Sequence, residues 1–159
     1  AVRRGEQADS SLGARFLGRN PWVMVAAPAY LKQRGTPRRA QDLSGHVALI
    51  YSSVVGDDMW QMHTPKGEAV TVPVSGRLRS NNLSAVLAAT RAGLGIALMP
   101  RYVAAESIKA GTVVEVLADH GLAEQEIHAV FPSPKLVPGK VSSFVAFLQG
   151  RFDERWWER

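Results

Sequence analysis

The 159-residue chain contains no cysteine, which excludes disulfide crosslinks, thiolate metal sites and a cysteine nucleophile together. No uninterrupted apolar run approaches the roughly 20 residues that a membrane span requires, and no charged start followed by an apolar stretch marks a signal peptide. Histidine is sparse: His46, His63, His120 and His128 lie 17, 57 and 8 positions apart. None of them pair at one helical turn, so no metal site is expected. His63 and His128 fall on strands in a phase that should face solvent. The G-x-S-x-G elbow and the G-x-x-x-x-G-K-S/T loop are absent, and "GLGIAL" lacks the full dinucleotide fingerprint. Glu106 and Asp119 read as exposed helix and loop acids, not as a carboxylate pair. Neither catalytic residues nor a cofactor are expected.

What is present is an apolar fraction of 46%, enough for a real core without metal or crosslinks. The formal charge of +5 comes from basic residues scattered among acids. This describes a solvated surface rather than a nucleic-acid groove. The densest basic stretch, "LKQRGTPRR" (31–39), lacks the interleaved aromatics of a stacking platform and reads as a loop. "AVRRG" at the start reads as the tail of a strand, so the chain is expected to begin inside a folded unit.

Strands and helices alternate. "WVMVAA" (22–27) is a continuous apolar run, as expected for a strand covered on both faces, and Pro28 stops it. A short helix around "AYLKQRG" ends at Gly35. "VALIYSS" (47–53) is a second buried strand, bounded by the Gly56-Asp57-Asp58 turn signal. "MWQMHT" (59–64) and "AVTVPVSGRL" (69–78) each alternate in polarity and flank "PKG", which predicts an antiparallel hairpin with Pro73 at an edge or bulge. An amphipathic helix then carries Leu83, Val86, Leu87 and Thr90 on one face. "IALMP" (96–100), "RYVAAESIKAG" (101–111), "TVVEVL" (112–117) and "EIHAVF" (126–131) continue as strand, helix, strand and strand. "PSPKLVPG" turns into a last helix with Val141, Phe144, Val145, Leu148 and Phe152 on one side. Strand, helix, strand in succession implies parallel pairs, and the chain is α/β.

Ser80, Asn81 and Asn82 sit where a strand hands over to a helix. In an open α/β sheet that is the rim where ligands bind, and the helix N-terminus favours an anion there. Serine and asparagine also cap helices with no ligand at all. Three consecutive small polar residues exceed what one cap needs. The terminal "RWWER" reads either as an interaction anchor or as a tail folding back on its own core.

The segment "VMVAAPAYLKQRGTPRRAQDL" resembles the effector-binding region of LysR-type transcriptional regulators. It is followed in matching order by "HVALIYSS", "WQMHTPKGEAVTVPVSGRLRSNN", "AVLAATRAGLGIALMPRYVA", "GTVVEVL" and "IHAVFPSPKLVPGKVSSFVAFL". The resemblance covers nearly the whole chain. It implies a periplasmic-binding-protein-like fold (type 2), with one complete Rossmann-like subdomain at 31–120 and part of a second formed by 1–30 and 121–159. "WVMVAA" and "EIHAVF" would be the two crossover strands acting as hinge. The N-terminal half of the first subdomain and the helix-turn-helix are expected to be missing from this sequence.

By the same resemblance, a small anionic effector would be clamped between subdomains by Ser52, Ser53, Ser80, Asn81 and Asn82, with Arg3 or Arg4 holding its carboxylate in a fork. The intact protein would be a cytoplasmic dimer or tetramer that contacts DNA only through the absent domain and has no membrane partner. The alternative is a fragment of a solute-binding protein for transport.

Overall fold

The computed structural model describes residues 13–52, 58–122, 124–131, 138–152 and 156–158, and the backbone of residues 2–4. In chain order the first elements are β1 (Val2–Arg4), β2 (Gly13–Asn20), β3 (Trp22–Ala26), α1 (Pro28–Arg34), a 3-10 turn (Ala40–Gly45) and β4 (Val47–Tyr51). Next come β5 (Met59–His63), β6 (Ala69–Pro73), β7 (Ser75–Ser80), α2 (Leu83–Arg91), β8 (Ile96–Pro100) and α3 (Arg101–Lys109). The chain ends with β9 (Val114–Glu115), β10 (Gly121–Leu122), β11 (Gln125–Phe131), α4 (Gly139–Gln149) and a 3-10 turn (Trp156–Glu158). Two compact units result, residues 1–21 with 124–159, and residues 22–123. The strands expected as a hinge are each built into a sheet. β3 belongs to a five-stranded sheet of the second unit and β11 to a three-stranded sheet of the first.

The five-stranded sheet has the order β7-β4-β8-β3-β9. β7 and β8 both run parallel to β4, one on each side, so α2 carries the chain across β4 to a parallel position. β3 is antiparallel to β8, which makes the sheet mixed. The continuous apolar runs are explained by alternation between two cores. Met24, Ala26, Ala48, Ile50 and Ile96 face α1, the 3-10 turn and the β5–β6 hairpin. Val23, Val25, Leu49, Ala97 and Met99 face α2 and α3, meeting Val86, Ala104 and Val113. Val86 and Thr90 of α2 are fully buried, as the helical spacing requires.

β5 and β6 pair antiparallel from Met59↔Pro73 to His63↔Ala69, with β10 on the other side of β5. Pro73 therefore lies on an edge strand, where its missing N–H costs no ladder bond. The expected second arm splits here: β6 stays with the hairpin and β7 joins the large sheet. Gly76 marks the transfer. A Cβ there would lie 1.6 Å from the Ala48 carbonyl oxygen, beside the register shift between Val47 and Leu49.

In the first unit β11 pairs antiparallel with β1 and β2, and α4 packs Val145 and Leu148 against Leu17, Ile127, Ala129 and Phe131. The last helix departs from its expected stripe. Val145 is buried and Leu148 half-buried, but Phe144 is 58% exposed, Phe147 56% and Val141 37%. Three strands spaced about 4.8 Å apart present a face about as wide as one helix, so only one arc of α4 is covered. His128 also departs from expectation: only 15% of its side chain is exposed, with Phe16 edge-on at 5.8 Å. Within "RWWER", the described residue Trp156 folds back. Trp156 Nε1 donates to the Arg19 carbonyl at 2.7 Å and its ring meets Phe152 at 5.1 Å. "TVVEVL" forms a strand only at Val114–Glu115: the Thr112 and Val113 N–H groups donate back to the Ser107 carbonyl at 3.0 and 3.3 Å, and Leu117 turns the chain with φ +52°.

Candidate functional site at the carboxyl rim of the large sheet

The parallel strands β7, β4 and β8 all end on one edge of the sheet, at Ser80, Tyr51 and Pro100, and antiparallel β3 begins there with Trp22. Tyr51 is level with Ser80 and Trp22 with Pro100. The next N–H, that of Ser52, donates to the Ser80 carbonyl at 3.0 Å. Both helices on this side start from the same edge, α2 after Asn82 and α3 directly after Pro100. Their dipoles place partial positive charge there. Neither first turn contains an acidic residue, so no carboxylate of the helices competes for it.

The three polar residues at the start of α2 divide their work. Asn82 is the N-cap, its Oδ1 accepting from the Ser84 and Ala85 N–H groups at 2.9 and 3.2 Å. Ser80 Oγ accepts from the Asn82 N–H at 3.1 Å and so fixes the entry into the helix. Asn81 is exposed, and neither its amide nor the Ser52 hydroxyl bonds to any described residue. Capping thus consumes two of the triplet and leaves the third. The α3 N-terminus has no side-chain cap at all. Arg101, its first residue, is committed elsewhere: its guanidinium grips both Glu115 oxygens, at 2.9 and 2.6 Å.

Ser53 lies outside the described residues, as do Gly56 and Asp57. Arg3 and Arg4 are placed in backbone only, level with His128 and Ile127 on β11, in the unit that does not contain this rim. Ser52, Ser80, Asn81 and Asn82 are the expected residues that the fold brings together. Sequence reasoning did not single out Trp22 and Tyr51, whose rings stand 6.3 Å apart at the same edge, nor the bare start of α3. Tyr51 could have been found as the last residue of an apolar strand. Trp22 could not, since the direction of β3 is not written locally. Among the described residues no cluster of three or more histidine, aspartate or glutamate side chains could hold a metal. No helix among them is long and apolar enough to cross a membrane.

Comparison with known proteins concerns the chain as a whole. The family model of the LysR substrate binding domain matches residues 1–153. The HTH-type transcriptional activator AaeR of Escherichia coli is 31% identical over 153 residues, covering 96% of this chain and 49% of that protein. An HTH-type transcriptional regulator of Haemophilus influenzae is 30% identical over 142 residues, covering 89% and 49%. Among solved structures, the full-length virulence activator AphB of Vibrio cholerae superposes with a TM-score of 0.82 at 34% identity, covering 94% of this chain and 50% of that one. The regulatory domain of AphB from Vibrio vulnificus gives 0.79 at 33%, covering 94% and 73%. The chain spans about half the length of the curated relatives it matches. These neighbours share a periplasmic-binding-protein-like α/β fold, and as transcriptional regulators they do not favour the transport alternative.

Proposed function

Because the chain belongs to the LysR substrate binding domain family, we propose that it is the effector-sensing part of a transcriptional regulator and binds a small anionic metabolite at the carboxyl rim of the five-stranded sheet. The observation that carries this is the pair of uncommitted polar side chains, Ser52 and Asn81, beside two helix N-termini that lack acidic residues. A carboxylate seated there gains hydrogen bonds from groups that otherwise face water, and it meets the positive ends of both dipoles. Ligand binding would favour one arrangement of the regulator over another, and in the whole protein that preference would reach a DNA-binding region and its oligomer partners. The relatives' names support a role in transcription.

The test is ligand-induced thermal stabilisation against a panel of small organic acids. A ligand at a hundredfold excess over its Kd adds about 2.7 kcal/mol, a rise of roughly 5–10 °C for a chain of this size. Ser52→Ala and Asn81→Ala should each reduce that rise while leaving the unliganded Tm within about 2 °C of the parent. A hit that stabilises both variants as much as the parent would show that the acid sits elsewhere.

A further inference from the structure

We propose that the ligand of this rim carries an aromatic ring as well as an anionic group, so that the effector class is an aromatic carboxylate. The inference rests on the anion reading above and extends it to the part of the ligand beyond its carboxylate. Its basis is the pair Trp22 and Tyr51. On the sheet these residues have opposite pleat phases: Trp22 alternates with Met24, which belongs to one core, and Tyr51 with Leu49, which belongs to the other. Two such side chains cannot meet across the body of a sheet. Their rings nevertheless stand 6.3 Å apart, tilted by 45°, so they approach one another around its carboxyl edge.

Each ring is tied by register to one helix start. Tyr51 is level with Ser80, which leads into α2, and Trp22 is level with Pro100, which leads into α3. An anion held at the helix starts therefore has a π surface on hand for whatever it carries. Both aromatic residues remain partly accessible. Tilted, incompletely buried rings have faces and edges left to receive a third ring in an offset or edge-to-face arrangement.

A second observation is independent of the rings. Trp22 Nε1 is shielded from solvent and has no hydrogen-bond partner among the described residues. A buried donor left unpaired is costly, and native proteins retain few of them. A ring substituent such as a phenol oxygen, reaching the indole edge after a small rotation of the side chain, supplies the acceptor that the described residues do not. An aliphatic acid of the same size would satisfy the helix starts but gain nothing from either feature.

The experiment uses the full gene product and measures Kd by calorimetry for benzoate, 4-hydroxybenzoate, cyclohexanecarboxylate and hexanoate. The aromatic acids should bind about three- to tenfold tighter than cyclohexanecarboxylate, the advantage a ring–ring contact confers beyond its area. Trp22→Leu should bring that ratio close to one while leaving cyclohexanecarboxylate binding in place, and Trp22→Phe, which keeps a ring, should retain most of it. Circular dichroism confirms that each variant is folded. If all four acids bind alike, lose affinity in Asn81→Ala and ignore Trp22→Leu, the aromatic inference is overturned and the anion site stands. If none binds, or binding ignores both Asn81→Ala and Ser52→Ala, the anion site falls and the aromatic inference falls with it.

Discussion

Asn82 offers a way to separate what the start of α2 does for the fold from what it does for a ligand. Its Oδ1 accepts from two backbone N–H groups, at 2.9 and 3.2 Å, on a nine-residue helix whose opening turn has no other side-chain cap. Asn82→Ala removes both bonds and should cost about 1–2 kcal/mol, a fall of roughly 2–8 °C in Tm. Asn82→Asp keeps the cap, since aspartate is an equally good N-cap, and its charge suits the dipole, so stability without ligand should stay within about 0.5 kcal/mol of the parent. The same charge should oppose a bound anion. At about 5 Å and an effective dielectric between 20 and 80, repulsion amounts to about 1–3 kcal/mol, or roughly 5- to 150-fold in Kd. It should shrink as salt is added. Thermal melts and hydrogen exchange at the Ser84 and Ala85 amides read the cap, and calorimetry with an acid from the panel reads the charge. An Asn82→Asp protein that bound the acid as tightly as the parent at low salt would refute an anion at this rim.

Gly76→Ala should destabilise by about 3 kcal/mol or more, because the methyl would collide with the Ala48 carbonyl and force β7 from β4. Gly35→Ala, with open space around it but φ +83°, should cost only about 1–2 kcal/mol; equal losses in urea titrations would show that the close approach at Gly76 is not the limiting constraint. His46 is held below the usual imidazole range by burial and by nearby Arg34, with Asp42 acting in the opposite direction. Its Nδ1 shares a hydrogen bond with the Tyr30 hydroxyl at 3.2 Å, and that hydroxyl accepts the Val47 N–H at 2.9 Å. The unfolded chain takes up the proton first, so this contribution to stability is complete above about pH 6.5 and declines as pH falls from there toward the lowered value. His46→Gln should flatten that part of the urea-midpoint profile, and an unchanged slope would assign it to other groups.

Much of the architecture was legible because burial on two faces or on one leaves different local patterns. The unbroken runs at 22–27 and 96–100 belong to strands sandwiched between two cores. The alternation at 59–63 belongs to a hairpin with one face in solvent. The α2 stripe was readable from a 3.6-residue period alone. The α4 stripe was not, because Phe144 and Val145 are equally apolar and only the width of the sheet beneath them decides which is covered. His128 was misplaced for a related reason: its strand phase does face away from α4, but Phe16 stands over it. At the site, the small polar triplet announced a helix start. Its division into cap (Ser80 and Asn82) and remainder (Asn81) depends on side-chain directions that composition does not carry.

Taken alone, the sequence determined the class of the protein and the kinds of chemistry open to it. Residue pattern and order sufficed for strands, helices and family, and the lack of cysteine ruled out disulfides and thiolate chemistry. Tertiary structure decided which residues meet. That β3 runs against its neighbours, so that Trp22 arrives beside Tyr51, Ser52 and the starts of α2 and α3, follows from long-range pairing between β3 and β8. Hydrogen bonds between distant strands set that direction, and no short stretch of chain encodes them.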